Sequence, residues 1–386
     1  MSIKRIGIIG GGQLAWMMGD SSKKLGLELI VQTPSKNDPA VSIAKDTIFA
    51  AVDDAAATEI LATKCDVITF ENEFVNLDAL SLLEKKGVCF RPRLAALSPL
   101  LDKYHQRCYF QDLKLPVPHF FAVEKSEISE NIASNIASKI EYLGFPVVLK
   151  ARRHGYDGQG TFIIHDLATL SKVVNASNTQ FLVEAFVPFT KELAIIAARS
   201  VTGEIVTYPV VETQQEQQVC RRVIAPADIT PEQAAEVNAI AHTILNSLDV
   251  VGVFGIELFI TADGKILINE IAPRTHNSGH FSIDACTTSQ FEQHLRAVAG
   301  LSLNDTSLHC AGAVMVNLLG YEKSYSDYVQ QRQELANIPH AYLHWYSKTE
   351  SRPGRKLGHI TVLLEQQNRD AIESIIQKIE SIWYPV

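Results

Sequence analysis

Glu257 and Glu270 flank Asp263-Gly264, a dipeptide that strongly favours a two-residue type I′ hairpin turn. With those two residues as the turn, Ala262 faces Lys265, Ile260 faces Leu267 and Glu257 faces Glu270. Both carboxylates then share one face of the hairpin, with Cβ atoms about 5 Å apart. The surrounding residues, Phe254, Ile256, Leu258, Phe259, Ile266 and Ile268, mark an interior hairpin, where opposed like charges need neutralising. A shared proton or a bound cation would do so. Two hard carboxylates suit Mg²⁺, which keeps several waters and takes further ligands from nucleotide phosphates. The alternative is an exposed pair without a ligand. Strand alternation would send the side chain of Asn269 to the opposite face.

Other stretches point to anions. Gly10-Gly11-Gly12-Gln13-Leu14-Ala15 follows the first apolar run and fits G-x-G-x-x-A, the turn that cradles a phosphate at a helix N-terminus. A dinucleotide dehydrogenase would want an acidic residue about 20 positions on. That position is Gln32, and Glu28 comes too early, so the turn reads as an anion site or as a structural glycine turn. His154-Gly155-Tyr156-Asp157-Gly158-Gln159-Gly160-Thr161 forms a glycine-rich flap after a strand ending in Lys150, with Arg152 and Arg153 beside it, which suits contact with nucleotide phosphates. Val183-Glu184-Ala185-Phe186-Val187 followed by Lys191-Glu192 reads first as a solvated strand end, with an edge able to meet a base and a ribose as the alternative. The run from Asn269 to His280 is dense in polar groups directly after a buried strand, which is costly without ligands, and Arg274 there suits a planar anion. Lys348, Arg352, Arg355 and Lys356 around Pro353-Gly354 suit a phosphate clamp or a solvated basic loop.

The elements that must position these groups alternate at first. Strands at 3–9, 27–31 and 67–70 and helices at 14–25, 55–63 and 77–85 make an α/β unit with a parallel sheet. Prolines 92, 99, 116 and 118 interrupt the chain around a helix at 100–113. An α+β pattern follows, with strands at 120–123, 147–150, 161–164 and 181–187 and a helix at 128–142. Beyond it come a β-rich stretch at 193–211, a helix at 231–248, the hairpin at 251–271 and a helix at 289–299. Strands at 312–318, 341–346 and 359–364 and an end helix make a small closing unit.

The 386 residues are 46% hydrophobic and 20% charged, enough for two or three domains. With 43 acidic against 35 basic residues the net charge is −8, which argues against a nucleic-acid or membrane-surface partner, since both want a broad basic face. No secretion signal is expected, because the first apolar run ends at the glycine triplet, and no run reaches the roughly 18 apolar residues of a membrane span. The six cysteines stand singly, as in a reducing cytosol, and suggest neither a disulfide framework nor a zinc site.

The order of these features resembles the ATP-grasp ligases. Gly10-Gly11-Gly12-Gln13-Leu14, Thr69-Phe70-Glu71-Asn72-Glu73, the 155–160 flap, the 269–280 run, Ser289-Gln290-Phe291-Glu292-Gln293-His294-Leu295-Arg296 and Arg352-Pro353-Gly354-Arg355-Lys356-Leu357-Gly358-His359 resemble the 5-(carboxyamino)imidazole ribonucleotide synthetase family of purine biosynthesis over essentially the whole chain. The resemblance implies an N-terminal parallel-sheet domain at 1–100, an ATP-grasp domain at 101–300 with a lid at about 119–187, and a small C-terminal domain at 301–386. It implies a cytoplasmic homodimer that uses ATP, Mg²⁺ and bicarbonate to carboxylate 5-aminoimidazole ribonucleotide through carboxyphosphate. ATP would be held by Lys103, Lys150, Gly155, Tyr156, Asp157, Gly158, Gln159, Gly160, Thr161, Glu184, Ala185, Phe186, Val187, Glu192, Gln215, Asn269 and Glu270. Glu257 and Glu270 would take the metal. Tyr156, Asp157, Arg274, His276 and Asn277 would surround bicarbonate and the aminoimidazole, and Gln13, Leu14, Glu71, Lys348, Arg355 and Lys356 would hold the ribonucleotide. The chain departs from the family pattern at Ala15-Trp16, Ala185-Phe186, Gln215 and Thr275. A formate-dependent glycinamide ribonucleotide transformylase-like ligase and a non-catalytic nucleotide sensor are the alternatives.

Overall fold

The computed structural model describes residues 3–123, 132–153, 155 and 160–384. Strands β1 (Arg5–Ile9), β2 (Glu28–Thr33), β3 (Asp46–Phe49) and β4 (Val67–Phe70) form a parallel sheet in the order β3-β2-β1-β4. β1, β2 and β4 are covered on both faces, so they read as near-continuous apolar runs. β3 is a half-exposed edge strand with the polar start Asp46-Thr47, and no strand is expected there from sequence. The single helix expected at 14–25 is two helices, Gln13–Trp16 and Gly19–Leu25. Gly19 opens the second, where a Cβ would stand 2.9 Å from Ile43.

The second sheet is the antiparallel set β5 (Phe120–Val123), β6 (Val147–Ala151), β7 (Thr161–Ile164) and β8 (Phe181–Ala185), in the order β5-β8-β6-β7. Helices Ile132–Leu143 and Leu167–Asn175 cover it, packing Ile136, Ile140, Leu170 and Val174 on Val147, Leu149 and Val183. The first four residues of the helix expected at 128–142 lie outside the described residues.

The third sheet has nine strands: β9 (Phe189–Arg199), β10 (Ile205–Thr207), β11 (Val211–Glu216), β12 (Val219–Ala225), β13 (Gly252–Thr261), β14 (Ile266–Ala272), β15 (Gly312–Leu319), β16 (Ala341–Trp345) and β17 (Lys356–Leu364). Their order is β14-β13-β9-β11-β12-β15-β17-β16, with β10 beside β9. Residues 301–386 therefore make no separate sheet. β15 pairs with β12, Arg222 against Val316 through Ala225 against Ala313, and carries β17 and β16 as an extension of the central sheet. The β11–β12 hairpin is absent from the sequence reading because its two turn residues, Gln217 and Gln218, adopt left-handed φ of 51° and 63° without the usual Asn-Gly or Asp-Gly.

Each face of the central sheet has its own cover. Helix Pro231–Leu248, started by a Thr230/Gln233 capping box with Pro231 in its first turn, lays Val237, Ile240, Ile244 and Leu248 on Ile195, Phe254, Ile256, Leu258 and Ile268. Helix Gln290–Ala299, capped by Ser289, lies between the other face and the N-terminal sheet. Its His294 joins the two. Nδ1 accepts from the Val253 backbone N–H at 3.1 Å, which leaves the Nε2 proton to donate to Thr69 Oγ1 at 2.9 Å. Burial holds this imidazole down at about 4, so it stays neutral.

Helix Arg369–Trp383 closes the far end of the sheet with Ile372, Ile376, Ile379 and Trp383. Trp383 is 1% exposed, its Nε1 donates to Leu319 O at 2.9 Å, and its ring meets Tyr328 at 5.2 Å and Trp345 at 5.8 Å. Trp383→Ala should lower stability by about 3–5 kcal/mol. The urea midpoint, read by far-UV circular dichroism, measures that loss.

Candidate active site

The structure pairs Glu257 with Glu270, but by a different route from the one expected. The turn is three residues, Ala262-Asp263-Gly264, closed by Gly264 N–H to Thr261 O at 2.9 Å and Thr261 N–H to Lys265 O at 3.0 Å, with Gly264 at φ 80°. Ile260 accordingly faces Ile266 and not Leu267, and Ala262 has no partner in Lys265. A β-bulge at Asn269 adds the residue back, so Leu258 faces Ile268 while Glu257 faces Glu270. The two offsets cancel. The bulge also reverses the expectation for Asn269, because two successive residues now oppose one and both turn to the carboxylate face. Asn269 Nδ2 donates to Glu257 Oε2 at 3.2 Å, and its Oδ1 accepts from Lys150 Nζ at 3.0 Å.

Cations from two other elements meet this face. Lys103, which opens helix Lys103–Asp112, pairs with Glu270. Lys150 on β6 pairs with Glu184 on β8 at 2.7 Å, and Arg107 binds the other oxygen of Glu184 while donating to Asn269 O at 2.5 Å. Burial would raise Glu184, but Arg107 and Lys150 hold it down at about 2. Burial depresses Lys150. Within the opposed pair, burial raises both groups; Lys103 brings Glu270 below its ordinary value, while Glu257, facing Glu270 without a cation of its own, is pushed up to about 7. Glu192 sits on β9 opposite Phe259, on the same face as Glu257, and burial together with Glu257 raises it to about 8. The face thus carries three carboxylates with too little positive charge.

The segment after β14 is held by amides. Gln290 Oε1 accepts from His276 N–H at 2.9 Å, and Gln290 Nε2 donates to His276 O at 2.7 Å and to His280 Nδ1 at 3.1 Å. One side chain grips both backbone groups of His276 as a neighbouring strand would. His276 Nδ1 lies 2.9 Å from Ser278 Oγ and 3.4 Å from the Ser278 N–H, an acceptor's place, which puts the ring proton on Nε2, 3.4 Å from Glu257 Oε1. Gly255 makes the approach possible, since a Cβ there would collide with His276. Asn277 and Asn317 exchange reciprocal amide hydrogen bonds at 2.9 and 2.7 Å. Arg274 pairs with Glu73 at 2.9 Å.

The ribonucleotide residues named from sequence lie together on the N-terminal side. Lys348 Nζ donates to Gln13 Oε1 at 2.6 Å and to Lys356 O at 2.7 Å, bringing the basic loop onto the first glycine turn. Arg355 is braced by Glu350 O at 2.7 Å. Glu71 packs against Gly10 and Gly12, where any Cβ would run into its carboxylate; burial lifts it to about 6 against the pull of Arg274. Leu14 is buried beneath the turn.

Of the lid residues, Gly155, Gly160 and Thr161 are described, whereas His154, Tyr156, Asp157, Gly158 and Gln159 lie outside the described residues. Ala185 and Val187 are half-buried and Phe186 is exposed at the end of β8. Gln215 is exposed next to the β11–β12 turn, two positions from Thr213, which pairs with Glu192. Sequence reasoning missed Arg107, Gln290 and Asn317 as parts of the site. Asn317 had a readable signal, as the lone polar residue in the apolar strand Gly312–Leu319. Gln290, fully buried, and Arg107, 2% exposed, had none beyond their polarity within helices.

Comparisons with known proteins agree along the chain. Residues 3–98 match the ribonucleotide synthetase preATP-grasp domain, 108–291 the ATP-grasp domain and 313–373 the phosphoribosylaminoimidazole carboxylase C-terminal domain. The chain is 53% identical to the N5-carboxyaminoimidazole ribonucleotide synthase of Synechococcus elongatus, over 99% of this chain and 96% of that one. It belongs to the N5-carboxyaminoimidazole ribonucleotide synthase family. As a member it is an ATP-grasp ligase of purine biosynthesis. Among solved structures it resembles the Aspergillus clavatus carboxyaminoimidazole ribonucleotide synthase complexed with ATP, at TM-score 0.90 and 31% identity over 98% of both chains. The same fungal enzyme with ADP and 5-aminoimidazole ribonucleotide gives TM-score 0.89 and 29% identity, again over 98% of both. No helix among the described residues is long and apolar enough to cross a membrane.

Gln290→Leu keeps the volume and removes the grip on His276. Misplacement of a site group by about 1 Å costs on the order of 100-fold, so kcat should fall by that order while the KM for ATP stays within a few-fold. Steady-state ADP release measures both.

Proposed function

We propose that this site carboxylates 5-aminoimidazole ribonucleotide with bicarbonate at the expense of ATP, giving 5-(carboxyamino)imidazole ribonucleotide, ADP and phosphate. The observation that carries the reading is the opposed pair Glu257 and Glu270, half-buried beside Lys103 and Lys150 and adjoining the His276-Asn277 segment. Glu257, Glu270 and the Oδ1 of Asn269 offer hard oxygen donors, and burial and the facing Glu270 raise Glu257, so the residues present fit Mg²⁺. Bound there, the ion would offset charge on the ATP phosphates.

The chain's own groups supply the rest. Lys103 and Lys150 lie where they can pass from carboxylates to phosphates, and Glu192 lies on the same face for the ribose. Bicarbonate oxygen attacks the γ-phosphorus, ADP leaves, and carboxyphosphate forms. Its carbon then passes to the exocyclic amine, which loses a proton as phosphate departs. Arg274, His276 and Asn277 line the place for bicarbonate and the amine, with Tyr156 and Asp157 added from the flap. Gln13, Leu14, Glu71, Lys348, Arg355 and Lys356 hold the ribonucleotide, the basic loop meeting its phosphate. Carboxyphosphate hydrolyses readily in water, so alignment of the amine and exclusion of water are the main catalytic contributions. The family resemblance extends this reading to a cytoplasmic homodimer.

ADP release at fixed bicarbonate should depend on 5-aminoimidazole ribonucleotide; release that ignores it, or that responds to glycinamide ribonucleotide and formate, rejects the assignment. Glu270→Ala should lose at least roughly 100-fold in kcat with its circular dichroism spectrum unchanged. Glu257→Gln should also lose turnover, yet the metal-free variant should unfold at higher urea than the metal-free native chain at pH 8. Glutamine removes an ionised carboxylate that faces Glu270, and a lower urea midpoint for the variant would reject the claim that Glu257 is held under electrostatic load.

A further inference from the structure

A second group of chemistry-bearing side chains lies away from the carboxylate pair. His344 on β16 and His359 on β17 stand directly opposite one another in the antiparallel ladder, with rings stacked at 4.5 Å between centroids and 14° between planes. Asp284, from the helical turn Ser282–Ala285, reaches them with Oδ2 at 2.8 Å from His344 Nε2. One donor atom from each residue lies within 4.8 Å of the other two.

A neighbouring atom makes the arrangement a site. His359 is fully buried, and its Nδ1 is engaged by the Tyr346 hydroxyl at 2.7 Å, while its Nε2 is buried and has no hydrogen-bond partner among the described residues. A buried polar atom left in that state costs about 1–3 kcal/mol. If Nδ1–H donates to the Tyr346 oxygen, Nε2 presents a free lone pair. Opposed positions on neighbouring strands put their Cβ atoms about 4.5–5.5 Å apart, a spacing from which two imidazoles can turn onto one ion. Bonds of about 2.0–2.2 Å require the three donors, now within 4.8 Å of one another, to close in on the ion. His344, with 22% of its side chain exposed, gives the entry path.

We propose that Asp284, His344 and His359 form a binding site for a borderline divalent cation of the Zn²⁺ class, with a fourth position left for water. Two imidazole nitrogens and one carboxylate favour such an ion over Mg²⁺, which prefers oxygen alone. On binding, the His344 proton now shared with Asp284 moves to Nδ1 and the Nε2 lone pair goes to the ion. The cation then ties the β16–β17 hairpin to the 282–285 turn. Ser282 in that turn donates to Gly279 O at 2.6 Å and accepts from Gln290 N–H at 2.9 Å, so the site braces the same segment that Gln290 grips.

The test is Co²⁺ titration of the full chain in Mg²⁺-free buffer, followed by d–d absorption and displacement with Zn²⁺. One equivalent should give the intense band of four-coordinate Co²⁺, and Zn²⁺ should raise Tm. Asp284→Asn and His344→Gln should each weaken binding at least about tenfold and abolish the Tm rise. The Glu257→Gln/Glu270→Gln double variant should bind as the native chain does. Failure of the native chain to develop the band, or a band lost in the glutamate variant and kept in Asp284→Asn, overturns the proposal. His344→Gln sits at a partly exposed position, so it remains informative if Asp284→Asn fails to fold.

Discussion

Two carboxylates facing each other across one hairpin, on a half-buried face short of positive charge, are the constraint around which this fold is arranged. Glu270 has Lys103, and among the described residues Glu257 is met by the amide of Asn269 and the ring of His276. Such a pair adds nothing to stability, and opposed like charges are kept where a ligand supplies what is missing. The charges that face the acids of the central sheet come from elsewhere: β6 of the four-stranded antiparallel sheet brings Lys150, and helix Lys103–Asp112 brings Lys103 and Arg107.

The hairpin shows how sequence reasoning can reach a correct contact by an incorrect path. Asp263-Gly264 is the strongest turn signal in the chain, yet it forms a three-residue loop, and only the bulge at Asn269 restores the pairing. The bulge was legible in another way. Ile266, Ile268 and Ile271 all pack into the same core, and that spacing breaks strict alternation between 268 and 271. Regular alternation would have placed Glu270 beside Ile266 and Ile268. The β11–β12 hairpin is the converse case, a tight turn made by two glutamines that carry no turn signal.

Parallel strands and helix 231–248 were readable because each rests on local pattern. What could not be read was tertiary. Nothing local in Val219–Ala225 and Gly312–Leu319 indicates that these two strands pair, so it was not legible that the C-terminal domain shares the central sheet. The amide grips are non-local in the same way. Gln290 and His276 come from different elements, and so do Asn317 and Asn277, each identified only when the chain is folded.

The shared sheet explains why the C-terminal strands matter to a site whose acids lie several strands away. Asn317 on β15 holds Asn277, and β17 carries the Lys356 end of the basic loop, so one rigid strand pair fixes both the His276-Asn277 segment and the cations beside the glycine turn. Had residues 301–386 formed a separate sheet on a linker, those two groups would move relative to β13 and β14 with every domain fluctuation. Continuous backbone hydrogen bonding from β14 to β16 removes that freedom. Under the proposed reaction, the amine and the carboxyl donor arrive from opposite sides of the site, and effective alignment requires the two sides to share one frame. The sheet is that frame, and the β5–β8 sheet that carries Lys150 is separate from it, with four strands of its own.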